Sequence, residues 1–260
     1  MSTNSIPSPT QRAKRVRLFA GPNGSGKSAV YQLIAAQYRA GVNINADDLR
    51  RQLETSAGVA LPSILPSLSG EDFKAFYSEH PLREQYGSPF PFAALQDGRL
   101  TLLETCDHSA KLSYAMAILA EYLFARLLAA GEDVTFEAVF PYPSELALMR
   151  QARVSGYQTC LYYVCVASPE ISKQRVALRV TQGGRGMPDA TVVEQYERSL
   201  ALLAEAVALS DRAYLFDNTY SGASLKLEIK QGTEVIAHEP VLPDWLTRSL
   251  SALVPQPAVS

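Results

Sequence analysis

A chain of 260 residues with 47% hydrophobic residues is long and apolar enough to bury one large core. Its formal net charge of −2 creates no global field toward DNA, RNA or an anionic membrane. Three cysteines (Cys106, Cys160, Cys165) and three scattered histidines (His80, His108, His238) supply neither a C-x-x-C motif nor a metal-ligand cluster.

Residues 1–14, rich in Ser, Thr and Pro, read as a mobile tail and lack the apolar segment of a signal peptide. No apolar run reaches membrane-spanning length, so a soluble cytoplasmic protein with no membrane partner is expected. One domain is expected over residues 15–253, with an insertion at about 56–108 and a second tail at 254–260.

Val16–Ala20 is a short apolar strand, and Ser28–Tyr38 carries apolar residues at helical spacing. Between them stands Gly21-Pro-Asn-Gly-Ser-Gly-Lys-Ser28, which satisfies G-x-x-x-x-G-K-[ST] at every fixed position. Gly21, Gly24 and Gly26 let the backbone wrap phosphate oxygens. Asn23, Ser25 and Ala29 complete the cradle at a helix N-terminus, whose dipole favours anions. Lys27 is then within reach of the β- and γ-phosphates, and the Ser28 hydroxyl is a ligand for Mg²⁺. The expected ligands are ATP and Mg²⁺.

Val42–Asn45 is a second strand, and Ala46–Arg51 opens a helix with Asp47 and Asp48 in its first turn. Two acids there complement the macrodipole, and that accounts for Asp48. Asp47, at the carboxyl end of a sheet strand where open α/β sheets bind ligands, is a candidate functional carboxylate. Residues 56–108, broken by Pro62, Pro66, Pro81, Pro89 and Pro91, read as a cap with helical pieces at Glu71–Tyr77 and Phe92–Gln96. Asp107-His108 beside a turn reads as a cap or surface pair before a catalytic one.

A long, largely buried helix follows over Ala110–Ala130, ended by Gly131. Asp133–Val139 is a strand. Its Glu137 is expensive to bury without a partner, which singles it out. Pro143–Ser155 is a helix, and Tyr157–Val166 is a central buried strand by its continuous apolar run. Ser168 as N-cap and Pro169 at the first position open a helix that carries Lys173, Arg175 and Arg179 into Gln182-Gly-Gly-Arg-Gly186. Cations in a last turn complement the dipole, but Arg175, Arg179 and Arg185 around a glycine-rich loop read better as a lid closing on ATP. Asp189–Leu209 is a helix, Arg212–Phe216 a strand ended by Asp217-Asn218, and Leu225–Lys230 with Glu234–His238 a hairpin. A last short helix starts at Leu242–Trp245. Strands alternating with helices give an α/β fold of P-loop kinase type. Its sheet is mainly parallel and covered on both faces, with a helical insertion and a C-terminal hairpin.

Four segments together resemble the zeta toxins of bacterial toxin–antitoxin systems and their chromosomal relatives. They are GPNGSGKS, INADDLR (Ile44–Arg50), VTFEAV (Val134–Val139) and the block from Gly156 through GGRGMP to AYLFDNT. The resemblance runs from about Val16 to about Thr219. It implies an ATP-dependent phosphotransferase acting on a hydroxyl of UDP-N-acetylglucosamine, and, for a toxic member, an antitoxin partner. It also implies that Asp47 is the general base and Glu137 the acceptor-binding carboxylate, with Lys27 and Ser28 on phosphate and magnesium. Arg179 and Arg185 fall near the lid arginines, and Arg175 joins the nucleotide site. Two positions depart from the pattern: Val139 replaces a hydroxyl residue and Pro141 a basic one, both of which remove polar contacts to a nucleotide sugar. Two alternatives stay open. One is a P-loop kinase for another small-molecule or nucleic-acid hydroxyl, the nucleic acid disfavoured by the lack of a basic-aromatic stripe. The other is a nucleotide-dependent switch that phosphorylates no acceptor.

Overall fold

The computed structural model describes residues 13–254 except 39, 57, 66–67, 87–89, 97, 104–111, 140–142, 185 and 221. From the N-terminus, strand β1 (Arg15–Ala20) leads through the glycine-rich loop into helix α1 (Lys27–Gln37), and β2 (Val42–Asn45) leads into α2 (Ala46–Ser56). The insertion holds β3 (Gly58–Ala60), α3 (Gly70–Glu79), α4 (Arg83–Tyr86), β4 (Phe92–Gln96) and β5 (Arg99–Leu102). The chain then forms α5 (Leu112–Ala130), β6 (Val134–Glu137), α6 (Pro143–Val154), β7 (Gln158–Cys165), α7 (Pro169–Thr181) and α8 (Asp189–Ala208). It closes with β8 (Arg212–Asp217), β9 (Ser224–Lys230), β10 (Glu234–Ala237) and α9 (Asp244–Ser249).

Seven strands form one sheet in the order β10-β9-β8-β7-β1-β6-β2. The run from β8 to β2 is parallel throughout, while β9 and β10 add an antiparallel edge. β1 lies between β6 and β7, so the loop that follows it opens at the carboxyl edge of the sheet, where the chain winds off in two directions.

Alternation along the strands separates two apolar layers. Val16, Leu18 and Ala20 of β1, with Leu161, Tyr163 and Cys165 of β7, enter the main core with α5, α6, α8 and α9. Phe19, Tyr162 and Val164 face the other way, against Val30 of α1. That second layer is tied by a stack across three strands: Phe19 and Tyr162 lie 4.6 Å apart, Tyr162 and Tyr214 5.0 Å. β7 is therefore buried on both sides, which is why its sequence is a continuous apolar run.

Helix α5 has the length and composition of a membrane span, contrary to the expectation that no apolar run is long enough. It is instead a helix of the core: Leu112, Leu119, Leu123 and Leu127 are buried, and it packs against α2, α3, α4, β2 and β6. Its end is a Schellman motif. Glu132 N–H donates to Leu127 O, Gly131 N–H to Leu128 O, and Gly131 adopts φ +81°.

The insertion corrects one expectation. Phe92–Gln96 is not helical but strand β4, antiparallel to β5, which also pairs with β3 to make a separate three-stranded sheet. The insertion is thus a small α/β cap. Its Phe73, Tyr77, Phe92 and Leu100 are continuous with the main core through Tyr122 of α5. Asp107 and His108 lie outside the described residues.

Candidate active site

The phosphate-binding loop takes its shape from glycine. Gly21 has φ +137°, and a Cβ there would stand 2.0 Å from the Val164 carbonyl oxygen of β7. Gly26, at φ +94°, lies against a side chain instead, since a Cβ would meet Asn218 Nδ2 at 2.2 Å. These two residues let the loop pack against β7 and the end of β8.

Lys27 opens α1 and is buried, its Nζ donating to the carbonyls of Gly21 (2.9 Å) and Pro22 (3.1 Å). Burial pushes its ammonium below the usual lysine range. Glu137 and Asp47 pull it back up, Arg179 adds to the lowering, and Glu145 opposes it. Lys27 therefore shares one electrostatic neighbourhood with Asp47, Glu137 and Arg179, which come from α2, β6 and α7.

Ser28 Oγ donates to Glu137 Oε1 at 2.8 Å, and Asn45 Nδ2 donates to Glu137 Oε2 at 2.9 Å. Strand register explains the meeting: Phe19 pairs with Glu137, and Glu137 with Asn45, so the ends of β1, β6 and β2 lie side by side. Asn45 Oδ1 in turn accepts from the backbone N–H of Asp47 (2.9 Å) and Asp48 (3.4 Å), capping α2 and fixing where Asp47 leaves the sheet. Asp47 is exposed, whereas Asp48 pairs with Arg51 at 2.8 Å. Asn45 is the residue that motif reading missed. Its signal was there, an Asn immediately before a helical run that begins with two acids.

Mg²⁺ is usually held through one or two carboxylates plus phosphate oxygens and water. A loop hydroxyl 2.8 Å from a carboxylate suits that demand, so Ser28 and Glu137 fit the ion. No group of three or more His, Cys, Asp or Glu suited to a metal occurs among the described residues, and Mg²⁺ at phosphates needs none. The Ser25 hydroxyl, buried in the loop without a hydrogen-bond partner among the described residues, is a further donor suited to a phosphate oxygen.

The outward side of the loop is held by side chains. Asn218 Nδ2 donates to Ser25 O (2.8 Å), Arg175 reaches Gly24 O (3.5 Å) and Thr219 O (3.3 Å), and Asn23 Nδ2 donates to Gln195 Oε1 of α8 (2.5 Å). Arg175 is thus joined to the loop backbone from α7. Ser168 occupies the N-cap position of that helix but makes no side-chain cap bond. Arg179 lies at the other end of α7, where Gln182 and Gly184 donate their backbone N–H groups to its carbonyl. Arg185 and Pro141 lie outside the described residues, and Val139 is half-buried just beyond β6.

Among solved structures the fold is similar to that of the AvrRxo1-ORF1:ORF2 complex with ATP. The TM-score is 0.52 at 14% identity, over 95% of this chain and 66% of that one. The same complex with sulphate gives 0.51 at 15% identity, with the same coverage. This chain therefore spans slightly under two thirds of that protein's length. A third similar structure belongs to the PezAT chromosomal toxin–antitoxin system of Streptococcus pneumoniae (TM-score 0.47, 12% identity, 81% of this chain and 70% of that one). No curated protein sequence matches the chain. A family model described as an AAA domain matches residues 16–203, from β1 through the phosphate-binding loop and the Asn45–Glu137 pair into α8. With most of its length inside that match and a P-loop sheet built accordingly, the chain belongs to the AAA domain family AAA_33.

Proposed function

We propose that the protein is an ATP-dependent kinase that transfers the γ-phosphoryl group to a hydroxyl of a small acceptor. UDP-N-acetylglucosamine is the acceptor favoured by the resemblance to zeta toxins. The observation that carries this reading is the convergence of Lys27, Ser28, Asp47 and Glu137 at the ends of adjacent parallel strands. A nucleotide switch has no need of an acceptor base beside its phosphate loop.

Asp47, exposed at the first turn of α2, takes the proton of the acceptor hydroxyl as its oxygen bonds to phosphorus and the bond from phosphorus to ADP breaks. Lys27 and Arg179 offset charge on the transferred group, with Arg185 assigned the same task. Bound Mg²⁺ supplies charge neutralisation between phosphates, and Ser28 and Glu137 are the residues that would hold it. The Ser28–Glu137 bond favours a metal-side role for Glu137 over the acceptor contact implied by the resemblance. An inhibitory protein partner belongs to the same proposal if the kinase is toxic to its host.

Asp47→Asn keeps the shape of the side chain and removes the base. Transfer from ATP is expected to fall by roughly 10²- to 10⁴-fold, with the circular dichroism spectrum unchanged. Glu137→Gln is expected to raise the Mg²⁺ concentration needed for half-maximal rate. Unimpaired transfer by Asp47→Asn would remove the base from this mechanism, and an unchanged Mg²⁺ requirement would return Glu137 to the acceptor side.

A further inference from the structure

We propose that Trp245, the chain's only tryptophan, is a positioning residue for the phosphate-binding loop, acting through Asp217 and Asn218. The proposal rests on the reading that this loop binds ATP. Trp245 lies on α9, far along the chain from the loop and outside the 16–203 match. It is 1% exposed, and its Nε1–H donates to Asp217 Oδ2 at 2.7 Å.

Asp217 ends β8 at the carboxyl edge of the sheet and is itself buried. A buried carboxylate must be matched by donors. Among the described residues Asp217 has three: Trp245 Nε1, Thr219 Oγ1 (2.9 Å) and Thr219 N (3.1 Å). Thr219 Oγ1 also accepts from Ala167 N (2.9 Å), and Asn218 N donates to Cys165 O (2.8 Å). The turn Asp217–Thr219 is therefore pinned to the end of β7 on one side and to α9 on the other.

This turn carries two of the groups that hold the loop. Asn218 Nδ2 donates to Ser25 O, and the Thr219 carbonyl orients Arg175, which reaches Gly24 O. A loop that turns its amides toward phosphate must turn carbonyls away, and those carbonyls need donors. A Cβ on Gly26 would lie 2.2 Å from Asn218 Nδ2, so the turn and the loop are in direct contact. Trp245 contributes no atom to the site. It holds the acid that holds the turn.

The experiment is a double-mutant cycle on the full chain, titrating the non-hydrolysable analogue AMP-PNP with Mg²⁺ by calorimetry. Trp245→Phe keeps an aromatic ring against Tyr163 and deletes only the donor. It is expected to raise Kd about three- to tenfold, less than the roughly 10- to 150-fold equivalent of a hydrogen bond to a charged group lost at the ligand itself, because Trp245 acts on the loop at one remove. Asn218→Ala is expected to raise Kd by at least as much, and the double variant by clearly less than the product of the two single losses, because Asn218 is one of the two groups through which Trp245 acts. A Trp245→Phe variant that binds as the wild type does, or losses that multiply in the double variant, would overturn the proposal. Should Trp245→Phe fail to fold, Asp217→Asn, nearly identical in shape, is expected to raise Kd by a similar factor, and an unchanged Kd would overturn the proposal equally. Wild-type protein that does not bind the analogue would overturn the nucleotide reading itself, an outcome distinct from unaffected variants.

Discussion

Replacing Lys27 with methionine is expected to lower phosphoryl transfer by on the order of 10²–10³-fold, the cost typical of removing one preorganised donor to developing charge. The chain should remain folded. The ammonium donates to the Gly21 and Pro22 carbonyls, and burial holds its pKa below the ordinary lysine value of 10.5. The folded state thus binds that proton less tightly than the unfolded chain. On this account the cation costs stability at neutral pH, and the cost is recovered as pH rises through the window between the lowered value and 10.5. The Tm of Lys27→Met without nucleotide is expected to lie within about 4 °C of the wild type, equivalent to ~1 kcal/mol in a chain of this size. Calorimetric scans with and without ATP check both halves. The wild type gains Tm on adding ATP and the variant gains far less.

Gly21→Ala is expected to be the most damaging of the conservative substitutions. A methyl group there meets the Val164 carbonyl at 2.0 Å, and the residue is held at φ +137°, so β1 and β7 must part or the loop must refold. Strain and overpacking together cost roughly 2–6 kcal/mol, a fall in Tm of about 5–20 °C. Gly156→Ala is the control. Its φ is +78° but nothing among the described residues lies within 4 Å of the added methyl, so only the left-handed penalty of about 1–2 kcal/mol applies. A denaturant titration in which the two variants lose equal stability would deny the close approach of loop and β7.

What the sequence made legible divides along the range of the interactions. The loop, α1, β7, α7 and α8 are local patterns, with fixed glycines, an apolar run, a proline at N1 and helical spacing, and each lies within two residues of its expected bounds. Phe92–Gln96 misled because Ala-Ala-Leu-Gln favours a helix in isolation. It is a strand because β5 lies across Gly98 to pair with it, and β3 completes that sheet from beyond α3 and α4. Asn218 was visible only as the middle of a strand-end motif. Its role depends on Ser25, 193 residues away, and no periodicity encodes such a contact. Asp47 and Glu137 could be named as isolated acids, but the Asn45 side chain that links them becomes evident only once β2 and β6 are in register.

Acceptor phosphorylation is the step on which the whole reading turns. The full chain, incubated with γ-labelled ATP and Mg²⁺, should move the label into an organic species in a metabolite extract. It should do the same with purified UDP-N-acetylglucosamine, and in neither case with Lys27→Met. Label released only as inorganic phosphate, at a rate indifferent to extract and nucleotide sugar alike, would contradict a kinase and leave a nucleotide-driven switch in its place.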